Sequence, residues 1–306
     1  MRELRIVFMG TPEFAVASLK VLVENGFNVV AVITAMDKPQ GRGRKLTFSP
    51  VKTFALQHDI DVLQPPNLKA KSFLQTLQSY KADLQVVVAF RMLPEVVWNM
   101  PALGTINLHA SLLPQYRGAA PINWAIINGE METGVTTFFI RHEIDTGNII
   151  FQEKEPIGTN DTAGTLHDRL KDKGALVVLK TVQAISKGKY PQQVQDIEQP
   201  INPAPKIYKE TCEINWNQPA NKIVDFVRGL SPYPAAWTKI NENVVKVFRA
   251  SSTGLSDDDL QVGEWRSDQK SYLHFKASDQ LVSVQNLQAP GKKPMEIQEF
   301  LRGNTL

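Results

Sequence analysis

The most constraining feature of this chain is a recurrence: short, almost wholly apolar runs alternate with stretches of helical spacing through its first part. Leu84-Gln85-Val86-Val87-Val88-Ala89 is the clearest run. A strand with one wet face would alternate polar and apolar residues, so this one must be covered on both faces. Arg5–Met9, Asn28–Thr34, Gly104–Leu108, Gly134–Ile140 and Asn148–Gln152 read as further strands, and Lys71–Tyr80 and Thr162–Ala184 as helices. Thr11-Pro12-Glu13 predicts another helix start, with Thr11 as the cap and Pro12 at the first helical position, where a missing N–H costs nothing. Strands joined through helices imply a Rossmann-like α/β fold, a mostly parallel sheet with helices on both faces.

The pattern then breaks. Lys187-Gly188-Lys189 closes the long helix, and Pro191, Pro200, Pro203 and Pro205 punctuate a stretch without periodicity. After one helix, Gln218–Gly229, short strands dominate: Ala236–Ile240, Val244–Ala250, Ser271–Phe275 and Leu281–Leu287, before a last helical turn at Glu296–Arg302. These predict a domain over 1–188, a linker over 189–206 and a smaller, mostly-β domain over 207–306, a small barrel or sandwich, of which an OB-like barrel is the form expected. With 306 residues, 42% hydrophobic and 21% charged, the chain has material for two such cores. No run approaches the roughly 18 apolar residues that cross a bilayer, and Met1–Arg5 leads straight into a strand without a signal-like core. A lone cysteine, Cys212, cannot make an internal disulfide, which fits a reducing cytoplasm. The histidines are scattered without metal-ligand spacing, so no metal is expected.

Chemistry concentrates in Gly104-Thr105-Ile106-Asn107-Leu108-His109. Residues two apart on a strand share a face, so Asn107 and His109 project together at a strand end, on the rim where open α/β sheets bind ligands. An amide can donate to a developing oxyanion and an imidazole can move an amine's proton. A strand-end turn would account for the pair equally well by itself. Asp145, in the turn-prone Ile144-Asp145-Thr146-Gly147, could hold the imidazole in one tautomer.

Taken with their neighbours, these residues resemble the methionyl-tRNA formyltransferase family. The likeness runs over nearly the whole chain: Phe8-Met9-Gly10-Thr11-Pro12-Glu13-Phe14-Ala15, Asn107-Leu108-His109, Ser111-Leu112-Leu113-Pro114, Arg117-Gly118-Ala119-Ala120-Pro121, Asp161–Leu166 and Gln288–Met295. The resemblance implies transfer of a formyl group from 10-formyltetrahydrofolate to the amine of initiator methionyl-tRNA. It implies catalytic roles for Asn107, His109 and Asp145, and a folate pocket lined by Phe90, Leu93, Ser111, Leu112, Leu113 and Pro114. The family commonly has an acid and a glycine where this chain has Arg141 and Glu143, which leaves the shape of that loop open.

Between the second strand and the next helix lies Asp37-Lys38-Pro39-Gln40-Gly41-Arg42-Gly43-Arg44-Lys45. Lys38, Arg42, Arg44 and Lys45, spaced by glycine, make a flexible cationic loop on the rim that carries Asn107 and His109. It is either a solvated crossover or an arm for tRNA phosphates, and the resemblance implies the second. From Lys206 onward 13 basic residues face 12 acidic ones, so the second domain is not basic overall. Lys246, Arg249, Lys292 and Lys293 could still form a stripe, and the resemblance implies that the domain binds tRNA, with Lys246, Lys292 and Lys293 as the contacts.

Three other functions fit the sequence less well. A nucleotide-dependent dehydrogenase lacks its G-x-G-x-x-G at Gly10-Thr11-Pro12-Glu13-Phe14. A different folate-dependent formyltransferase, or a 10-formyltetrahydrofolate hydrolase acting on a small amine or water, would not need the basic loop or the second domain. A tRNA-binding protein without enzymatic activity would leave Asn107, His109 and Asp145 idle. Neither a membrane nor an obligate protein partner is expected.

Overall fold

The computed structural model describes residues 4–40, 45–198 and 200–304. In chain order the elements are β1 (Arg5–Gly10), α1 (Glu13–Glu24), β2 (Asn28–Ile33), β3 (Lys38–Gln40), β4 (Lys45–Thr47), α2 (Pro50–Gln57), β5 (Asp61–Leu63), α3 (Lys71–Ser79), β6 (Leu84–Val88), α4 (Glu95–Trp98), β7 (Thr105–His109) and α5 (Pro121–Ile127). They continue with β8 (Glu132–Phe139), β9 (Ile149–Pro156), α6 (Ala163–Ser186), α7 (Ala220–Leu230), β10 (Ala236–Ile240), β11 (Asn243–Ser252), β12 (Trp265–Ser267), β13 (Leu273–Lys276), β14 (Leu281–Gln288), β15 (Met295–Glu296) and α8 (Ile297–Arg302).

Among the described residues the first sheet runs β5-β2-β1-β6-β7-β8-β9. Its first five strands are parallel, and β7 pairs with β8 antiparallel. The chain starts at β1, builds outward through β2 to β5, then returns to β6 on the other flank of β1. That reversal is the switch point of a Rossmann-like sheet, where the carboxyl ends of neighbouring strands open a crevice. β6 is buried at every position, which explains its unbroken apolar run. The end of α1 differs from expectation: Pro12 occupies the cap and makes no side-chain capping bond, so Thr11 lies one residue outside it.

The segments on either side of the expected basic loop form strands. Lys38–Gln40 and Lys45–Thr47 pair as an antiparallel ribbon, while Arg42 and Arg44 lie outside the described residues. Its base is fixed chemically: Lys52 Nζ donates to Asp37 at 2.6 Å and Gln64 Nε2 at 2.8 Å. Those hydrogen bonds hold the Asp37 carboxyl below the usual carboxylate range.

The chain divides into two compact units, Met1–Arg117 with Gly134–Glu155 and Asp168–Asn202, and Gly118–Thr133 with Pro156–His167 and Pro203–Leu306. The second unit therefore takes in α5, which packs on α7; a side chain at Gly229 would lie 2.6 Å from Ile127, so only glycine permits that approach. Its sheet is antiparallel, in the order β10-β11-β14-β13-β12 with β15 on β14. One face buries Val245, Val247, Phe275, Val282 and Val284 against Ile223, Val227 and Leu230 of α7 and Phe300 and Leu301 of α8. Trp216 stacks on Phe275 in this core, centroids 4.3 Å apart, and its indole N–H donates to Thr238. Among the described residues no helix is long and apolar enough to cross a membrane.

Candidate active site

β7 sets the geometry. Ile106 and Leu108 are buried on one face; Thr105, Asn107 and His109 share the other. Asn107 is half-buried and sits between Val87 of β6 and Phe138 of β8. His109, at the carboxyl end, is 6% exposed, so its ring is held rather than solvated.

Both ring nitrogens face named groups. Nε2 lies 2.8 Å from the carbonyl oxygen of Tyr116, and Nδ1 lies 3.7 Å from Oδ2 of Asp145. A carbonyl only accepts, so Nε2 carries a proton and donates it. In neutral His109 the lone pair is then on Nδ1, on the Asp145 side. The Tyr116 backbone carbonyl orients one side of the ring, and the Asp145 carboxylate, the expected companion, lies within ion-pair distance of the other nitrogen. Asp145 stands next to the nitrogen that can take a proton, 3.7 Å away.

Two backbone conformations make this arrangement. Tyr116 has φ +60° and Asp145 φ +55°, both in the left-handed region that L side chains rarely adopt. Asp145 is chemically tolerant of it and Tyr116 much less so, so the surroundings must enforce the latter. Enforcement is visible. Tyr116 N donates to Asn202 O at 2.7 Å. Ser111 Oγ donates to Gln115 O at 2.6 Å. Thr136 donates to Ser111 O and accepts from Leu113 N, while Gln152 Nε2 reaches both Leu113 O and Thr136. Around Asp145, a side chain at Gly147 would lie 1.6 Å from Phe139 O, so the turn closes only with glycine there.

The expected folate-pocket residues separate into two sets. Phe90 and Leu93 are half-buried and pack on the cluster containing Met9, Val87 and Val97, and Val87 is the strand partner of Asn107. Arg91 fixes their loop by donating to the carbonyls of Pro65 and Pro66. Ser111 and Leu113 are buried, Leu113 against Phe138 and Ile149, whereas Leu112 and Pro114 keep partial exposure. Ser111 and Leu113 thus shape the rim from beneath.

Of the residues expected to bind tRNA, Lys38 is exposed on β3 and Lys45 takes its place in β4. Lys292 and Lys293 are exposed in the turn before β15. Lys246 lines a cavity of about 600 Å³ in the second unit, together with Lys206, Lys209, Tyr233 and Trp237. Lys206 Nζ stands 5.2 Å over the ring of Tyr208. Sequence reasoning missed Lys206 and Lys209, and missed Tyr116, Thr136, Gln152 and Gln195 around His109.

The fold and this geometry can be set beside known proteins. The formyl transferase family matches residues 4–182, and the formyl transferase C-terminal domain matches residues 206–305. A methionyl-tRNA formyltransferase of Bacteroides fragilis is 54% identical over 98% of this chain and 95% of its own length. That of Flavobacterium johnsoniae is 48% identical over 100% of this chain and 98% of its own. Among solved structures, WlaRD, a sugar 3N-formyl transferase determined in the presence of dTDP and 5-N-formyl-THF, superimposes with a TM-score of 0.68 at 22% identity, covering 96% of this chain and all of its own. HypX of Aquifex aeolicus in complex with tetrahydrofolic acid gives 0.63 at 19% identity, covering 98% of this chain and 47% of that one. Both halves match a family domain and the relatives align almost end to end, so the chain belongs to the formyl transferases.

Proposed function

We propose that this enzyme transfers the formyl group of 10-formyltetrahydrofolate to the α-amino group of initiator methionyl-tRNA, in the cytoplasm. Residues 1–188 would carry the chemistry and residues 207–306, beyond the linker 189–206, would bind tRNA. The observation that carries the reading is the two-sided hold on His109, with Nε2 committed to Tyr116 O and Nδ1 facing Asp145. Relatives about half identical over nearly the whole chain carry the methionyl-tRNA formyltransferase name.

The residues present suit a folate donor. Phe90 and Leu93 offer half-buried apolar surface for a flat pterin, and Ser111–Pro114 would frame it. In the transfer, the amine nitrogen bonds to the formyl carbon, the donor's nitrogen leaves, and one proton passes from the first nitrogen to the second. His109 Nδ1 takes that proton and returns it; the amine's reference pKa of about 7.7–8.0 demands no extreme base. Asp145 stabilises the imidazolium. Asn107, half-buried on the same strand face, donates its amide N–H to the formyl oxygen as charge develops there. Lys38, Arg42, Arg44 and Lys45 would hold tRNA phosphates near one unit, and Lys246, Lys292 and Lys293 near the other.

Labelled 10-formyltetrahydrofolate offered to methionyl-tRNA, glycinamide ribonucleotide and water in competition tests the reading. Label appearing on methionyl-tRNA in large excess supports it. Preferential labelling of the small amine, or release of formate, would refute the acceptor assignment.

A further inference from the structure

The stretch after α6 reads in sequence as a linker, yet it crosses the first unit beside His109. Ile149 and Gln193 exchange two backbone hydrogen bonds, Asn202 O accepts from Tyr116 N, and Gln115 Nε2 donates to Pro200 O. Between these ties sits Gln195, 6% exposed. Its Nε2 donates to Asp145 O at 2.8 Å and to Gly147 O at 2.9 Å. Its Oε1 accepts from Arg117 Nε at 3.1 Å and Nη2 at 2.6 Å. A guanidinium only donates, so Arg117 fixes which end of the amide faces the Asp145 turn.

We infer that Gln195, oriented by Arg117, is a positioning residue for the formyl transfer: it holds the Asp145 turn at its working distance from His109. The inference rests on the catalytic roles proposed above for His109 and Asp145. Asp145 sits in the left-handed region, φ +55°, at a tight turn, and the carbonyls of Asp145 and Gly147 in that turn are the ones Gln195 holds. Arg117 directly follows Tyr116, whose carbonyl fixes the other face of the imidazole. One buried amide therefore couples the two loops that face the two ring nitrogens.

Gln195→Met keeps the length and volume but removes both donors. We expect kcat to fall about tenfold to a hundredfold, the range for displacing a reacting group by about an ångström, with KM for the folate donor changed less than about threefold. Gln195→Glu still accepts from Arg117 but sets a carboxylate against two carbonyls, and should be at least as slow. The decisive measurement is a double-mutant cycle with Asp145→Asn, alongside melting temperatures. If Gln195 acts through Asp145, Gln195→Met adds little to the loss already present in Asp145→Asn. Should Gln195→Met prove unstable, Arg117→Met, which leaves the amide in place but unoriented, must show the same non-additivity. Full additivity, or wild-type kcat in Gln195→Met, overturns the inference while leaving the reading intact. Wild-type turnover in Asp145→Asn alone overturns the catalytic reading itself.

Discussion

A histidine can act as a base through either ring nitrogen, and the partner of one nitrogen decides the role of the other. At His109 the Tyr116 carbonyl takes Nε2–H, so in the proposed mechanism Nδ1, on the Asp145 side, is the nitrogen that moves the proton. In a Ser-His-Asp triad the carboxylate binds the nitrogen away from the reacting atoms; in the mechanism proposed here it would stand on the reacting side and support the imidazolium directly. Asn107 then has a separable task. Removing one oxyanion donor typically costs about 3–4 kcal/mol in the transition state, so Asn107→Ala should lose two or more orders of magnitude in kcat. Donor affinity, measured by fluorescence or calorimetry, should stay within a few-fold; near-normal turnover would show that the amide has no such role. The strand period put Asn107 and His109 on one face from sequence alone, and the family likeness suggested Asp145 as their companion. Tyr116 and Gln195 were illegible for different reasons. A backbone carbonyl acceptor has no residue type to announce it, and Gln195 lies in a proline-punctuated stretch without periodicity.

At the scale of elements, legibility followed length. β2, β6, β7, β10 and β14 were located to within a residue or so because each carries enough side chains to display a period. β3, β4, β5 and β12 have three residues each, too few to show one. Nor could spacing show that the basic loop closes on a ribbon, since Asp37, Lys52 and Gln64 meet only in space. The same holds for β9 and α6. Arg169 and Lys173, four apart on the helix, converge on the buried Glu155 of β9 at 2.7 and 2.9 Å. Burial pushes the Glu155 carboxyl up, but the hydrogen bonds and charges of Arg169 and Lys173 outweigh it and leave its pKa below the ordinary value. A carboxylate depressed in the folded state contributes stability that is complete above its unfolded pKa of about 4.5 and is lost as pH falls through the folded value. Glu155→Gln should therefore cost about 1.5–3 kcal/mol at pH 7, the range for hydrogen bonds to charged groups. The gap in melting temperature from wild type should narrow as pH falls below about 4.5. A gap that stays constant down to pH 3 would mean the pair contributes through shape rather than charge.

For the molecule as a whole, charge counting was the weakest guide. The 13 basic and 12 acidic residues from Lys206 onward suggest neutrality, yet the fold sorts them. Asp257 pairs with Arg266, Asp258 lies near Lys276 and Glu296 pairs with Arg249, so much of the acid is neutralised locally. Lys206, Lys209 and Lys246 instead gather about one cavity with Tyr233 and Trp237. Tyr233 is 80% exposed, which is wasteful for a monomer's surface but suits a face on which a base can stack. Cationic side chains that grip phosphates release condensed counterions, so each real contact steepens the fall of affinity with salt by roughly one unit of log K per log salt. The triple variant Lys206→Ala, Lys209→Ala, Lys246→Ala should bind methionyl-tRNA with a salt slope shallower by about two to three, and raise KM for tRNA far more than KM for the folate donor. Lys292→Ala with Lys293→Ala, on an exposed turn of the same unit, provides the comparison. If the cavity variant keeps the wild-type slope while the turn variant loses it, the tRNA backbone tracks over the turn and the lysine-lined cavity serves another purpose.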